Sequence, residues 1–241
     1  MRPLLLDLFC CQGGAATGYH RAGFDIIGVD VEPQPLYPFE FHQADAMGVL
    51  RSLSEEDPFY PSWLRPVSAV HASPPCQFAT TMSARWRVRG GTVADEHVNL
   101  LTPTLVILRR LGLPYVVENV MGAKRYMRPT LALHGGMFGL GVHRPRLFES
   151  SELILAPRAP MTDKPVGVYG DRPQVNYSTR LNGNMSGKRS EFRRARSVEE
   201  ARELMGMPWA DWHGCAEAIP PAYTEFIGAQ LRAAIKAGEA A

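Results

Sequence analysis

The sequence predicts an α/β protein with a doubly wound, mostly parallel sheet, followed by a small irregular lobe. Short, continuously apolar runs alternate with stretches of helical spacing through the first half of the chain. Such runs are typical of parallel strands covered by helices on both faces. From about residue 151 to 194, Pro, Gly, Asn, Ser and Arg dominate without periodicity. We therefore predict a domain over residues 1–150, a lobe over 151–195 and C-terminal helices over 196–241; a disordered linker is the alternative for the lobe.

The predicted strands are four apolar runs, and a further short strand precedes Asp45. The four runs cover residues 4–9, 25–30, 67–72 and 114–118. A Gly13-Gly14 turn and a helix to about residue 22 follow the first run. The leucines at 101, 105, 108 and 111 have helical spacing, which predicts a helix over residues 98–111.

Two helices are predicted after the lobe. Ser197 is placed to cap the first of them, and Glu200, three residues later, completes a capping box. Pro208 is expected to end this helix. Pro220-Pro221 opens the last helix, which runs over about residues 223–237.

Composition excludes several classes of protein. Hydrophobic residues make up 45% and charged residues 21% of the 241 residues, as in an ordinary globular protein. No apolar run approaches the ~20 residues that span a bilayer, and the first one is too short for a signal peptide. The four cysteines (Cys10, Cys11, Cys76 and Cys215) lack zinc-site spacing, and no disulfide framework is expected. We therefore expect a reducing, cytoplasmic compartment.

Basic residues are concentrated in three places, although the net charge is only +2. Residues 172 to 196 contain seven basic side chains and one acid, Glu191. The other two sets are Arg85, Arg87 and Arg89, and Lys124, Arg125 and Arg128. Any one such cluster can be a solvated face. Three clusters that each follow a candidate site motif favour a groove for a polyanion.

Cys76 is the candidate nucleophile, in Ser73-Pro74-Pro75-Cys76-Gln77. The thiol follows the predicted strand at 67–72, and two prolines stiffen its approach because they fix φ and lack an N–H donor. A cysteine at the carboxyl end of a strand suits a nucleophile of an α/β enzyme. A small buried hydrophobe is the alternative.

The first strand leads into a glycine turn and a helix, Asp7-Leu8-Phe9-Cys10-Cys11-Gln12-Gly13-Gly14. This arrangement brings backbone N–H groups and a helix N-terminus against a ligand. Asp30 ends the next strand, where an acid can accept hydrogen bonds from ribose hydroxyls. An ordinary strand–helix turn and a dinucleotide site are the alternatives, although the full glycine fingerprint is absent. Asp45 is placed either to hold an adenine amine or to cap a helix.

Glu118 and the pair Arg144 and Arg146 are the remaining candidates for chemistry. Glu118 ends a buried strand, where a carboxyl group is costly unless it is paired or functional. Burial would raise its pKa, so that it could donate a proton near neutrality. In an extended chain the two arginines, two residues apart, would point to one side.

In this order, the motifs resemble those of the cytosine carbon-5 DNA methyltransferase family over nearly the whole chain, as in a compact, phage-type member. Pro74-Pro75-Cys76-Gln77 resembles the nucleophile motif, which is the most specific one. The other matching segments are Asp7 to Gly14 with the helix to Phe24, Gly28-Val29-Asp30-Val31, Asp45, Asn99-Leu100-Leu101, Glu118-Asn119-Val120, Arg144-Pro145-Arg146, residues 196–208 and Ile219-Pro220-Pro221.

The resemblance implies a Rossmann-like methyltransferase fold and a reaction. S-adenosyl-L-methionine would supply the methyl group, with S-adenosyl-L-homocysteine as product. Cys76 would add to carbon 6 of a flipped-out cytosine, Glu118 would bind N3 and the amine, and Arg146 would hold the carbonyl oxygen. Arg144 would orient the base or its phosphate. The implied cofactor-binding residues are Phe9, Gly13, Gly14, Asp30, Val31, Asp45, Pro75 and Leu100.

The implied partner is double-stranded DNA, bound by a monomer in a bacterial or phage-infected cell. The loop at 78–98 would close over DNA, and the short lobe would read a short, frequent target. A role in restriction–modification or phage DNA modification follows from this resemblance. The expected DNA-binding residues are Gln77, Arg85, Arg87, Arg89, Arg180, Lys188 and Arg189.

The chain departs from the family pattern at three points. Cys11 stands where a glycine is usual, and Glu217 stands where an Asn is expected before Ile219-Pro220-Pro221. The lobe, at about 50 residues, is short for the family. Three other functions remain open: the same reaction on tRNA, a dinucleotide-dependent oxidoreductase, and a catalytically silent DNA-binding module.

Overall fold

A computed structural model gives the fold, and it describes residues 2–53, 61–75, 99–128, 131–157, 165–173 and 193–239. Cys76 and the seven expected DNA-binding residues lie outside these ranges. No helix within them combines the length and the hydropathy of a bilayer-crossing segment.

The described residues form one seven-stranded sheet of order β3-β2-β1-β4-β5-β7-β6. The strands are β1 (Leu4–Leu8), β2 (Asp25–Asp30), β3 (Glu40–Gln43), β4 (Ala69–Ala72), β5 (Tyr115–Asn119), β6 (Leu131–Leu133) and β7 (Arg146–Ser150). The first five strands pair in parallel, whereas β7 is antiparallel to both β5 and β6. This confirms the predicted mostly parallel, doubly wound sheet.

The strand order reverses beside β1, because the chain leaves β1 for β2 on one side and later returns to β4 on the other. Ligands of open α/β sheets bind at such a switch point, beyond the carboxyl ends of the strands. Since β7 runs antiparallel to β5, its first residue, Arg146, lies at that same edge. The sheet therefore brings Arg146 beside the end of β5.

Six α-helices and two 3₁₀ helices complete the described fold. The α-helices are α1 (Gly14–Arg21), α2 (Ala46–Ser52), α3 (Leu101–Leu111), α4 (Val198–Met205), α5 (Trp212–Glu217) and α6 (Pro221–Glu239), and the 3₁₀ helices are Met121–Tyr126 and Gly135–Phe138.

The two faces of the sheet carry separate apolar clusters. One cluster packs α2 and α3 against the strands, through residues such as Leu50, Leu105 and Val117. The other packs α1 and α6 against the opposite face, through residues such as Tyr19 and Tyr223. Continuous apolar strands are therefore buried on both faces, as their composition predicted.

A third cluster joins the lobe to the C-terminal helices. Val168 and Ala195 of the lobe pack with Met205 of α4 and Trp212 of α5. Two isolated β-bridges hold the described part of the lobe. Val142 to Val166 connects the lobe to the end of the first domain, and Gly167 to Arg194 connects two segments of the lobe with each other. The described part of the lobe is thus anchored by apolar contacts.

The contact between α1 and α6 depends on glycines. A Cβ atom at Gly18 would lie 2.1 Å from the carbonyl oxygen of Pro221 and from Thr224 Oγ1. A Cβ atom at Gly228, on α6, would lie 2.8 Å from Ala22 Cβ. Thr224 also donates a hydrogen bond of 2.8 Å to the carbonyl oxygen of Ala15. The two helices approach so closely only because these side chains are absent.

Some predicted boundaries differ from the structure. Helix α4 begins after Ser197 as expected, and Ser197 Oγ accepts a hydrogen bond from the Glu200 N–H at 3.2 Å. The Glu200 carboxylate, however, accepts from Arg196 N at 2.7 Å, one residue earlier than a standard capping box requires. The prediction that Pro208 ends α4 was wrong.

Helix α4 ends at Gly206 instead, whose φ of 70° lies in the left-handed region that glycine adopts without strain. Strand β6 and helix α5 were not predicted from the sequence. Each is too short for its periodicity to stand out in the sequence, at three and six residues.

Substitution of Gly18 should test the helix contact. Gly18→Ala should lower the free energy of unfolding by about 3 kcal/mol, because the new methyl group would overlap backbone atoms of α6. Urea unfolding followed by circular dichroism measures this change.

Gly238→Ala is the matched control, because a Cβ atom at Gly238, also in α6, meets nothing within 4 Å. This control should leave stability unchanged or raise it by up to about 1 kcal/mol, since alanine has the higher helix propensity. Equal stability of the Gly18 and Gly238 variants would contradict the close contact.

Candidate active site

The predicted site residues that the structure describes follow the carboxyl ends of the parallel strands or lie at the same edge of the sheet. Phe9 follows β1, Asp30 ends β2, Asp45 follows β3, and Ser73 follows β4. Glu118 is the penultimate residue of β5. Parallel pairing therefore brings five distant segments to one edge of the sheet.

The turn after β1 contains an unusual run of left-handed conformations. Phe9, Cys11 and Gly13 have φ values of 58°, 45° and 78°. This region costs a non-glycine residue roughly 1–2 kcal/mol, so Phe9 and Cys11 are held there by their surroundings. Gly13 is the N-cap of α1 and supplies no capping side chain. The first turn of α1 therefore directs its N–H groups toward the edge without an acidic partner in that turn.

Asp30 ties the end of β2 to the glycine turn. Its Oδ2 accepts a hydrogen bond from Cys11 N at 3.0 Å, and its Oδ1 accepts one from Glu32 N at 3.1 Å. Each carboxylate oxygen can accept a second hydrogen bond, so both can still receive hydroxyl donors. The next side chain, Val31, is 63% exposed, which leaves an apolar surface beside the acid.

Asp45 caps helix α2. Its two carboxylate oxygens accept from Met47 N at 3.0 Å and from Gly48 N at 3.1 Å. Of the two interpretations open from the sequence, the cap is therefore present; contact with an adenine remains a prediction. Leu100 is the N-cap residue of α3, and α3 reaches α2 where Thr104 Oγ1 lies 3.2 Å from Met47 Sδ.

Three hydrogen bonds hold the segment Ser73–Pro75 that precedes Cys76. Ser73 N donates to the carbonyl oxygen of Leu8 at 3.1 Å. Ser73 Oγ lies 2.8 Å from His71 Nε2. The buried side chain of Asn119 donates from Nδ2 to the carbonyl oxygen of Pro74 at 2.9 Å. The segment is thus fixed to β1, β4 and β5 at once.

Glu118 and Arg146 form a nearly buried ion pair. Arg146 Nε lies 2.7 Å from Glu118 Oε1, and the two side chains are 13% and 9% exposed. Within the described residues Oε1 receives no well-aligned hydrogen bond, although its charge is paired. Burial raises the pKa of Glu118, and the charges of Arg146 and Arg144 oppose that rise. The site therefore holds an acid that keeps a proton more readily than an exposed glutamate.

Arg144 has different partners from Arg146. It is buried, and its three guanidinium nitrogens donate to the carbonyl oxygens of Ala218, Val168 and Ala216, at 3.0, 2.9 and 2.6 Å. Its backbone carbonyl accepts a hydrogen bond of 2.8 Å from Tyr223. Arg144 thus joins the lobe and the chain around α5 and α6 to the sheet.

The C-terminal segment returns to the glycine turn. A Cβ atom at Gly14 would lie 2.5 Å from the carbonyl oxygen of Ile219. Gln12 accepts a hydrogen bond at its backbone oxygen from Trp209 Nε1 (2.8 Å), and at its side-chain oxygen from Asp211 N (3.1 Å). Ile219-Pro220-Pro221 therefore closes one side of the site.

The two residues that depart from the family pattern are neighbours in space. Cys11 Sγ lies 3.9 Å from Glu217 Oε2, although 206 positions separate them. Glu217 also lies 3.3 Å from His213 Nε2, one helical turn before it. Burial raises the pKa of Cys11 to about 12, and the charge of Glu217 adds to the rise. Cys11 and Glu217 therefore lie together beside the glycine turn.

Sequence reasoning missed a row of buried polar groups on the α1 side of the sheet. Asp7 of β1 is opposite His71 of β4 in the register, and both are almost fully buried. Tyr37 donates to Asp7 Oδ2 at 3.3 Å, whereas Oδ1 has no partner among the described residues. Tyr19 Oη lies 3.0 Å from His71 Nδ1. The sequence did carry a signal for these groups, since Asp7 and His71 are polar residues inside otherwise apolar runs.

A nucleoside methyl donor fits the residues at this edge. An uncapped helix N-terminus can receive a carboxylate, Asp30 can receive ribose hydroxyls, and exposed Val31 can pack against a purine ring. Among the described residues no group of three or more His, Cys, Asp or Glu side chains is arranged to hold a metal ion.

Comparison with solved structures gives the same fold. A protein described as a DNA modification methyltransferase encoded within an E. coli prophage is 15% identical, with a TM-score of 0.61 over 97% of this chain and 99% of its own. The Dnmt2 methyltransferase of S. pombe is 12% identical, with a TM-score of 0.56 over 97% and 99%. The methyltransferase EhMeth of Entamoeba histolytica is 12% identical, with a TM-score of 0.54 over 99% of both chains.

The chain has the methyltransferase fold. No protein-family model and no curated protein matches the sequence, so the likeness lies in the structure. The methyltransferase fold confirms the predicted Rossmann-like architecture.

The buried Asp7 should make stability depend on pH. Burial raises the pKa of Asp7 to about 8, against the hydrogen bond from Tyr37, and the charge of Asp30 adds to the rise. An unfolded aspartate releases its proton near pH ~4. Between these values the native state holds more protons, so the free energy of unfolding should fall as pH rises.

Asp7→Asn should make this slope of the free energy of unfolding against pH shallower by the equivalent of about one bound proton, between roughly pH 5 and 7. Denaturant titrations at several pH values would measure the slope. Asp25→Asn, on the surface beside Arg2, should keep the wild-type slope. An Asp7→Asn slope that equals the wild-type slope would show that Asp7 is ionised in the native protein.

Glu217 should control the reactivity of Cys11. Glu217→Gln should lower the pKa of Cys11, because it removes the second-largest cause of the rise, while burial keeps the pKa above the ordinary value. Iodoacetamide labelling across pH, read at the Cys11 peptide by mass spectrometry, measures the shift. Glu225→Gln, which removes an exposed acid that pairs with Arg21, should leave the labelling unchanged; an equal effect of both variants would exclude a local cause.

Proposed function

We propose that this protein is a cytosine carbon-5 DNA methyltransferase that uses S-adenosyl-L-methionine and a covalent Cys76 adduct. The observation that carries the proposal is the buried Glu118–Arg146 pair, 2.7 Å apart at the end of β5. Asn119, the residue after Glu118, binds the segment that leads directly to Cys76. An acid, a guanidinium group and the segment that precedes the predicted nucleophile are therefore neighbours in a methyltransferase fold, which supports the proposal.

The cofactor would lie across the glycine turn. The helix N-terminus at Gly13 and Gly14 would receive its amino-acid end, with Phe9 beside them. Asp30 would accept from the ribose hydroxyls and Val31 would cover the adenine. Asp45, Leu100 and Pro75 would complete the pocket from α2, α3 and the segment after β4. When bound, this cofactor supplies a methyl group on a sulfonium sulfur, which carbon 5 of cytosine takes up.

Cys76 would provide the nucleophile. Addition of its thiolate to carbon 6 forms a sulfur–carbon bond and shifts electron density to carbon 5. After methylation the carbon 5 proton passes to a water molecule, the electron pair of that C–H bond forms the C5=C6 double bond, and Cys76 leaves as the thiolate, which restores the aromatic ring. A stacked base cannot be reached in this way, so the cytosine must leave the helix, at a cost of a few kcal/mol.

Glu118 and Arg146 would stabilise the charge that develops on the ring. The raised pKa of Glu118 favours a carboxyl group that donates to N3, while its other oxygen accepts from the exocyclic amine. Arg146 would contact the carbonyl oxygen at carbon 2. Because the pair is nearly buried, these contacts act with little competition from water.

Arg144 would have a structural role in the site. Its three guanidinium nitrogens already bind backbone carbonyl groups, so it would hold the lobe and Ala216–Ala218 against the sheet. Contact with the base or its phosphate, which the family resemblance implies for Arg144, remains a prediction. The division into residues 1–150, 151–195 and 196–241 is also part of this proposal.

Basic side chains support DNA as the partner. Lys124 and Arg125 are exposed on the 3₁₀ helix just after β5, whereas Arg128, also exposed, donates from its backbone N–H to Glu149, away from the Arg146 end of β7. Arg172 and Arg196 are exposed at the described ends of the lobe, whereas Arg193 pairs with Glu200 and Arg194 binds the carbonyl oxygens of Tyr169 and Arg172. The exposed groups are available to phosphates. Gln77, Arg85, Arg87, Arg89, Arg180, Lys188 and Arg189 are the remaining proposed contacts.

Trapping on duplex DNA that contains 5-fluorocytosine tests the chemistry. Fluorine at carbon 5 blocks the proton loss, so the wild-type protein with cofactor should form an adduct that survives denaturing electrophoresis. Cys76→Ser should abolish the adduct, and Glu118→Gln should slow its formation by about 100-fold or more. Cys215→Ala, which changes a buried cysteine in the third cluster, should retain it.

Duplex DNA and tRNA should be compared in the same assay. An adduct on tRNA alone would identify RNA as the substrate and leave the proposed mechanism unchanged. No adduct on either substrate, together with no binding of the cofactor by calorimetry, would favour a silent DNA-binding module.

A further inference from the structure

His71 is a fully buried imidazole in the middle of the sheet. It belongs to β4, whose four residues are all buried, and its neighbours in the register are Asp7 of β1 and Val116 of β5. A polar group at such a position is costly unless its hydrogen bonds are made. Its partners therefore indicate why a histidine stands in an otherwise apolar strand.

Both ring nitrogens of His71 are engaged. Nδ1 lies 3.0 Å from Tyr19 Oη, and Nε2 lies 2.8 Å from Ser73 Oγ. The rings of Tyr19 and His71 also pack at 5.1 Å between centroids. The three side chains form a continuous chain of hydrogen bonds that runs from α1, across β4, to the segment before Cys76.

The imidazole in this chain is neutral. Burial lowers the pKa of His71 to about 3, and burial raises the pKa of Tyr19 well above its ordinary value. A neutral imidazole donates from one nitrogen and accepts at the other. The direction of one hydrogen bond therefore fixes the direction of the next, and the two bonds are coupled through the ring.

The two ends of the chain belong to different parts of the proposed site. Tyr19 lies on α1, the helix whose first turn follows the glycine turn. Ser73 lies three positions before Cys76, and its backbone N–H is bound by Leu8, the last residue of β1. A displacement at either end would change the hydrogen bond at the other.

We propose that His71 is a positioning residue that couples α1 to the Ser73–Pro75 segment, and so sets the reactivity of the Cys76 thiol according to the state of the glycine turn. The inference rests on the proposed function for its biological meaning. The alternative is a buried histidine that contributes only to folding.

Conservative substitutions remove the two hydrogen bonds of His71 one at a time. Tyr19→Phe removes the hydroxyl group at Nδ1, and Ser73→Ala removes the one at Nε2. Tyr115→Phe and Ser52→Ala are matched controls, because each removes a buried hydroxyl that binds elsewhere, Glu149 and Val49 respectively. His71→Gln keeps a polar group near Nε2, and His71→Leu keeps only the bulk.

The first measurement is the rate of adduct formation on 5-fluorocytosine DNA at saturating cofactor. Tyr19→Phe and Ser73→Ala should each slow it by about threefold to tenfold, the rate equivalent of one neutral hydrogen bond. The double variant should be no slower than the slower single variant, because both substitutions break the same chain. His71→Gln should be faster than His71→Leu, and the affinity for S-adenosyl-L-homocysteine should change less than twofold.

The second measurement does not require catalysis. The rate of iodoacetamide labelling at Cys76, read by mass spectrometry, is compared with and without S-adenosyl-L-homocysteine. The wild-type ratio should differ from one, the control variants should keep it, and Tyr19→Phe and Ser73→Ala should both bring it to one.

Additive losses in the double variant, equal losses in the matched controls, or a labelling ratio that the two substitutions leave unchanged would each overturn the inference. A wild-type protein that forms no adduct on DNA or RNA would overturn the proposed function instead. In that event the labelling ratio still decides whether His71 couples α1 to the thiol.

Discussion

The site depends on the close contact of α1 with the C-terminal chain. Gly14 and Gly18 present no side chain to Ile219, Pro221 and Thr224, so backbone atoms of the two segments meet directly. This contact brings α5 and the start of α6, from the other end of the sequence, beside the glycine turn. Arg144 reinforces it, because a buried guanidinium binds two carbonyl groups of the returning chain. Larger side chains at these glycines would separate the glycine turn from the C-terminal chain that packs against it.

A second constraint is the burial of polar groups on the α1 face of the sheet. Asp7, His71 and Glu118 lie in neighbouring strands and are at most 6% exposed. Burial favours the neutral form of each of these groups, by raising the pKa of the acids and lowering that of the imidazole. Burying such groups costs stability, and only His71 among them has a partner at each of its polar atoms within the described residues. His71 and Asn119, the residue after Glu118, both bind the Ser73–Pro75 segment and so help to fix its position.

Local patterns predicted the parallel part of the fold well. Asp25–Asp30 is the strand that its β-branched and apolar residues indicated, and Ser197 caps α4 as its spacing to Glu200 suggested. The end of α4 was misjudged, since Gly206 ends the helix through its left-handed conformation before Pro208 is reached. Short elements such as β6 were missed, because three residues are held by pairing with β7 and show no periodicity of their own.

The sequence by itself determined the alternation of strands and helices, the glycine turn, and the order of the candidate motifs. These follow from side-chain periodicity and backbone sterics, which act over a few residues. Only the tertiary structure decided that Cys11 meets Glu217, that Arg144 and Arg146 have different partners, and that His71 joins Tyr19 to Ser73. Such contacts depend on how helices and sheet pack, and packing brings together residues whose separation along the chain carries no signal.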